Sequence, residues 1–436
     1  MEPSLYRNHL AILKDELLIA MGCTEPIAIA LAAAKAREVL GTMPGHCVLS
    51  CSGNIVKNAK SVVVPNSGGL HGMKIAAILG ILSNNSSANL EVLAAITDKQ
   101  RALAKQLLEE KFCDFKISPK EEPLFISVTV SQGEETASAE ISKRHTNFTK
   151  IVKNGKVLMD TSTEDIPATA TADIPDFLTV KNSIAFAQQA DLSDLHGIFD
   201  KQIEYNLKIA EAGLTGDWGA NVGKTLLKRQ VPLTVNVEAR AYAAAGSDAR
   251  MAGCSLPVVI NSGSGNQGIT VSLPVIIYAK QFGATRETLL RALALSNLIA
   301  IHQKRFIGNL SAFCGVTCAA TGAACGVAYL LLSRQAADNA SPDLYDVVSR
   351  TITNSLGTIS GMVCDGAKSS CASKIACALE CSLTALEMSL DGLAFPSGEG
   401  LTKDNVEDTI AAVGQMAAKG MKATDAEILK IMTREM

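Results

Sequence analysis

Three stretches of the sequence gather residue types that could do chemistry. Residues 21–26 read MGCTEP and run directly into IAIALAAAKAREVL, so Cys23 stands at the start of an apolar segment. Thr24 fits an N-cap and Pro26 fits a first helical turn, where its missing N–H would go unpaired anyway. A thiol at a helix start faces unpaired N–H groups and the positive end of the dipole, which predicts a lowered pKa and a reactive thiolate. Packing alone is the commoner role of a buried cysteine. Residues 360–371, SGMVCDGAKSSC, hold Cys364 and Cys371 on either side of Gly366. A continuous helix would set both thiols on one face; Gly366 is expected to break it and let the sulfurs approach one centre. Residues 310–333 carry no charged side chain but hold Cys314, Cys318 and Cys325, whose spacing predicts one stripe of a single helix. Spacing leaves open which of the three would join Cys364 and Cys371, and small thiols also serve simply to fill a tightly packed helix.

An anion-binding element is expected at NSGSGNQGI, residues 261–269. Ser262, Gly263, Ser264, Gly265, Asn266 and Gln267 offer a flexible backbone whose N–H groups suit a carboxylate or phosphate. An ordinary polar turn is the competing reading, since neither a Walker A loop nor a GxGxxG fingerprint is present. In GSDARM, Arg250 could grip a carboxylate bidentately, or pair with an acid such as Asp248. Lys57 and Asn58 in IVKNAK are further candidates for substrate contact, and His145 lies in RHTNF among strand-like segments. No CxxC, HxxxH or ferredoxin spacing occurs, so zinc ribbons, thioredoxin-type motifs and ordinary ferredoxin sites are not supported.

The elements that must position these residues come from a chain of 436 residues, 47% hydrophobic but only 4% aromatic, with a net charge of −3. No basic patch with interleaved aromatics suggests nucleic acid. Charges run through the N-terminal apolar stretch, so no signal peptide is expected. The uncharged stretch 310–333 is expected as a buried helix rather than a membrane span, being rich in small residues. Seven of the 12 cysteines fall between 314 and 381, a clustering that points to metal or Fe–S chemistry in a reducing cytoplasm rather than a disulfide framework.

Helices broken at GCTEP open the chain, followed by a β-rich stretch at 47–65, a helix at GLHGMKIAAILGILS and a charged amphipathic helix over 90–111. Segments 124–142 and 149–159 read as antiparallel strands, and 160–176 as a linker. Beyond it, helical periodicity dominates. The expectation is an α+β protein: a mixed α/β region with antiparallel strands over 1–170, then a larger, mainly helical region over 171–436 carrying the cysteines. Helix 24–40 is a candidate to pack onto that second region.

Taken together, GCTEP, SDAR, NSGSGNQG, Cys314 and SGMVCDGA with Cys371 resemble, in order and across nearly the whole chain, the L-cysteine desulfidase family. That family is related to the catalytic α region of bacterial iron–sulfur L-serine dehydratases. The resemblance implies a [4Fe–4S] cluster held by Cys314, Cys364 and Cys371 with one iron open to substrate, and Cys23 as the catalytic base. It implies elimination of sulfide from L-cysteine to give pyruvate and ammonia, with L-serine dehydration as the alternative. Lys57, Asn58, Arg250 and 262–267 would then hold a small amino-acid substrate. The interval from Cys314 to Cys364, including SRQAADNASPDLYD, is longer than the family suggests, which predicts a loop insertion. A non-catalytic Fe–S or thiol redox protein and a cluster-free enzyme with nucleophilic Cys23 are the other classes weighed. The partners expected are the substrate and, in a homo-oligomer, further copies of the chain, with neither nucleic acid nor membrane.

Overall fold

The computed structural model describes every residue except 121, 163–175, 230–231, 309, 336–341 and 434–436. Most of the expected linker and part of the expected insertion before Leu344 therefore lie outside the described residues.

The protein is α+β. Helix α1 (Pro3–Glu16) and the short strand β1 (Ile19–Met21) lead into α2 (Thr24–Leu40). Strand β2 (His46–Cys51) follows, then α3 (Gly53–Ala59), α4 (Met73–Ser83) and α5 (Asp98–Glu109). Strands β3 (Cys113–Ile117), β4 (Phe125–Gln132), β5 (Glu135–Ser142), β6 (Phe148–Lys153) and β7 (Lys156–Asp160) complete a sheet of order β3-β2-β4-β5-β6-β7. Its β2–β3 pair is parallel and its other pairs antiparallel. Alternating burial along β4 and β5 shows why these segments form strands with one covered face.

Three local expectations are corrected. The β-rich reading of 47–65 holds only through Cys51, because GNIVKNA folds as α3. β-branched residues there fill a buried helical turn, and propensity yields to tertiary context. The amphipathic helix starts at Asp98, where Thr97 and Gln100 form a reciprocal capping box. Helix α2 packs onto the sheet and α4 rather than onto the helical region. At the α2–α4 crossing, a Cβ on Gly80 would fall 2.1 Å from the carbonyl oxygen of Ala30, so only glycine permits that approach.

The remainder is helical: α6 (Val180–Gln189), α7 (Leu192–Thr215), α8 (Val222–Arg229), α9 (Val235–Met251), α10 (Gly265–Phe282), α11 (Arg286–Ile307) and α12 (Val316–Gln335). Then come α13 (Leu344–Ile359), α14 (Cys371–Leu390), α15 (Val406–Gln415) and, beyond a π-helical turn at Met416–Gly420, α16 (Lys422–Thr433). Helix α12 is long and apolar enough to cross a membrane, yet 83% of its most apolar stretch lies inside the protein. Neighbours α10, α11, α13 and α14 surround it. Its small residues are the reason: a Cβ on Gly322 would meet the Ser296 carbonyl at 2.5 Å.

Strand β8 (Pro257–Val259) pairs antiparallel with β1, joining Ile19 to Val259 and Met21 to Pro257. Apolar residues of the sheet region and of the helices form one continuous core. The site lies where that two-stranded junction ends.

Candidate active site

The β1–β8 pair delivers two loops to one place. At the end of β1, Gly22 turns the chain with φ +60°, and a Cβ there would fall 1.9 Å from Pro65 Cγ. Cys23 follows as the residue capping α2, although its side chain makes no capping bond. This corrects the placement of Thr24 as N-cap; Thr24 begins the helix and donates its hydroxyl to the Gly263 carbonyl at 3.0 Å. At the end of β8, Ser262 and Gly263 adopt φ +49° and +75° and turn the chain into α10.

A second device places the other thiols. Phe313 and Val363 form an isolated antiparallel bridge: the Cys314 N–H donates to the Met362 carbonyl at 2.9 Å, and the Cys364 N–H to that of Ala312 at 2.6 Å. Gly366 breaks the chain from helix with φ +100°, and a Cβ there would lie 2.3 Å from the Lys57 carbonyl oxygen. Cys371 then opens α14. Cys23, Cys314, Cys364 and Cys371 line one cavity of about 100 Å³. The single-stripe expectation for Cys314, Cys318 and Cys325 is corrected, since Cys314 precedes α12 instead of belonging to it. Cys318 and Cys325 are fully buried inside that helix and do not line the cavity.

Electrostatics separate the thiols. Cys314 donates to Cys364, which lowers the Cys364 pKa, helped by Lys57 and Lys374, and correspondingly raises that of Cys314. Burial raises Cys371. Buried Lys304, near the end of α11, also lines the cavity and bonds the Gly308 carbonyl.

The expected low pKa of Cys23 is overturned. Burial pushes its thiol well up, the Glu25 carboxylate raises it further, and Arg250 opposes both only in part. The helix start contributes less than desolvation and a like-signed neighbour. The thiol instead donates to Glu25 Oε2 at 3.0 Å. Glu25 Oε1 accepts from Asn58 Nδ2 at 3.0 Å and faces His145 Nε2 at 3.8 Å. Burial would raise Glu25, but His145, the Cys23 thiol and its own N–H outweigh it and hold the carboxyl at about 2.

The carboxylate-binding candidates also converge. Gly265, Asn266 and Gln267 form the first turn of α10, whose Ser264 cap leaves its side chain unbonded to the helix N–H groups. Arg250, 2% exposed, gives Nη1 to Asn266 Oδ1 at 3.1 Å, while its Nε has no partner. Gly265 makes room for it, since a Cβ would sit 2.3 Å from Arg250 Nε. Gln267 Oε1 and His145 Nε2 are likewise buried without hydrogen-bond partners beside the same cavity. Arg250, Ser262, Gly263, Ser264, Asn266 and Gln267 border it directly. Asp248 does not pair with Arg250; it accepts the Gly223 N–H at 3.1 Å, and burial raises it to about 6.

Lys57 is placed apart. It pairs with Asp425 of α16 and borders a separate pocket on the other side of the Cys364 loop. Its expected substrate contact is not made in this arrangement; its charge faces Cys364 instead. Residues without an assigned role in the sequence reading enter here: Glu25, His145, Lys304 and Gly315. Glu25 had a signal, a carboxylate two residues past Cys23 at the head of an apolar helix. His145 and Lys304 had none, because only the tertiary fold brings them to the cavity.

The chain belongs to the serine dehydratase alpha chain family, whose model matches residues 87–430. That span includes His145, Arg250, the α10 loop and the thiols of the Phe313–Val363 bridge, while Cys23, Glu25 and Asn58 precede it. A UPF0597 protein of Lachnoclostridium phytofermentans is 47% identical over 98% of this chain and 100% of its own. Another, from Desulfitobacterium hafniense, is 45% identical over 99% and 97%. A third, from Bacteroides fragilis, is 37% identical over the full length of both chains. No solved structure matches. Membership in this family makes a lyase-type enzyme the general expectation.

Proposed function

We propose that this protein is a [4Fe–4S]-dependent lyase that eliminates sulfide from L-cysteine, giving pyruvate, ammonia and hydrogen sulfide. The observation that carries the reading is the convergence of Cys314, Cys364 and Cys371 on a cavity also lined by Cys23 and a buried Arg250 whose Nε has no partner. The thiols fit such a group. Cys314 and Lys57 lower the Cys364 pKa, and the buried cations Lys57 and Lys304 stand near the thiols to balance negative charge. Among the described residues no three His, Cys, Asp or Glu side chains converge on a single ion.

Cys314, Cys364 and Cys371 would hold the cluster, which would supply Lewis-acid chemistry toward the departing sulfur. The protein's own groups do the rest. Arg250 and the N–H groups opening α10 bind the substrate carboxylate, fixing the α-carbon toward the α2 side of the cavity. Cys23 receives the α-proton there. Its proximity to Glu25 matters because the thiol's own proton then has an acceptor. The product aminoacrylate tautomerises to an imine and hydrolyses without further catalysis.

L-Serine would bind through the same carboxylate contacts, and its hydroxyl would leave in place of the thiol. Serine dehydration is the second reading, favoured by the family match. One reconstituted preparation assayed for pyruvate with each amino acid separates them: a higher kcat/KM for L-cysteine, with sulfide released in equal amount, is expected. Preference for L-serine would reassign the substrate while leaving the site intact.

A further inference from the structure

Cys23 is 2% exposed, so a proton arriving on its sulfur cannot pass directly to water. The cavity side is occupied by substrate during turnover. An exit must therefore run through the protein behind it.

The structure holds one row of groups suited to that task. Cys23 Sγ donates to Glu25 Oε2 at 3.0 Å. On the other carboxylate oxygen, Oε1, His145 Nε2 waits at 3.8 Å, buried and with no hydrogen-bond partner. His145 lies in the β5–β6 turn and borders two cavities, the one holding the thiols and an outer pocket lined by Asp15, Glu16 and Arg144. Arg144 is paired with Asp15 of α1 at 2.5 Å, which anchors the turn carrying His145. Gly263 lies close against the ring: a Cβ there would come within 3.3 Å of His145 Cε1. The other neighbours of Glu25 do not lead outward. Asn58 has no proton to exchange, and the Thr24 hydroxyl returns to the Gly263 carbonyl.

We propose that Glu25 and His145 form the proton route between Cys23 and the outer pocket, a role that rests on the lyase reading above. As the α-C–H bond breaks, an S–H bond forms on Cys23 and its original proton passes to Glu25 Oε2. The electron pair left on the α-carbon forms the double bond to the β-carbon as the C–S bond breaks and hydrosulfide leaves. Rotation of the Glu25 carboxyl then brings the protonated oxygen to His145 Nε2, which takes the proton, and the imidazole releases one to water in the outer pocket. Each turnover thus returns Cys23 to its thiol form and Glu25 to its carboxylate. Glu25 touches the reacting sulfur of Cys23, and His145 acts through Glu25.

The test uses the reconstituted full chain with His145→Ala and His145→Gln, followed by added imidazole. The expected result is a fall in kcat of about 10- to 100-fold, part of the range for acid–base assistance. KM and iron content should stay unchanged, and imidazole entering by the outer pocket should restore much of the rate to His145→Ala. An undiminished kcat in both variants would overturn the route. So would a loss that imidazole leaves unrestored while KM rises, which would make His145 a substrate contact. If wild type with a full cluster turns over neither L-cysteine nor L-serine, the lyase reading itself falls and the route with it.

Discussion

The two walls of the cavity are built from different parts of the chain and carry different chemistry. The wall from the sheet region presents Cys23, Glu25, Asn58 and His145, one thiol hydrogen-bonded into a carboxylate and an imidazole. The opposite wall, from the helical region, presents three thiols with Arg250 and Lys304. The same residue type behaves oppositely on the two: Cys364 is driven toward its thiolate, while Cys23 is kept protonated. Neighbours decide this. Lysines and a donating thiol surround Cys364, whereas Cys23 faces an anion. One wall gathers thiols beside buried cations, the other joins a thiol to a carboxylate and an imidazole.

A third pair sharpens the contrast. Cys47 and Cys113 stand side by side on β2 and β3, with Cys113 Sγ 3.7 Å from Cys47 Sγ. They are buried in the core and line none of the cavities described above. Paired thiols alone do not make a site, even with Lys74 acting on Cys113; open space beside them is also needed.

If the walls are separable, breaking one should spare the other. The largest effect on rate among changes that leave the helical wall whole is expected from Cys23→Ala: turnover should fall about 10²–10⁴-fold. Iron content, measured alongside, should match wild type. Loss of iron in that variant would move Cys23 into the ligand set.

Glu25 tests the proton-handling wall by stability. Its folded pKa, about 2, lies below its ordinary value of 4.5. Its contribution is therefore complete above about pH 4.5 and is lost as pH falls through about 2. At about 1.4 kcal/mol per unit, the upper bound is about 3 kcal/mol. Urea melts of the cluster-free protein should show Glu25→Gln losing its deficit against wild type on acidification. A deficit independent of pH would mean that the carboxylate's charge is not what stabilises this wall.

Arg250→Lys probes the helical wall without removing charge. Loss of a bidentate grip should raise KM about 10-fold or more, in keeping with about 1.5–3 kcal/mol for a charged hydrogen bond. An unchanged KM would release Arg250 from carboxylate binding. The smallest effect is expected from Cys318→Ala, a buried packing change costing roughly 1 kcal/mol with cluster content and rate intact. Iron loss there would make Cys318 a ligand.

Much of this arrangement was legible in the sequence, and the failures have causes. Gly366 as a helix breaker followed from its place between two cysteines, and the strands at 124–142 from their alternation. The helical stripe misassigned Cys314 because periodicity cannot see where α12 begins; Gly315, packed against Gln267, sets that start. A helix-start argument failed for Cys23 because burial and Glu25 are tertiary facts. Lys57 looked like any lysine following a strand, and only the return of α16 shows it paired to Asp425. His145 needed the β5–β6 turn to fold across Gly263 before it faced Glu25.

The central claim, that Cys314, Cys364 and Cys371 hold an iron–sulfur cluster, is tested most directly by iron and acid-labile sulfide content after anaerobic reconstitution. Wild type should be measured beside Cys364→Ser. The account predicts about four of each per wild-type chain and a large loss in the variant. Wild type that binds no iron would contradict it, as would a variant that keeps the full complement.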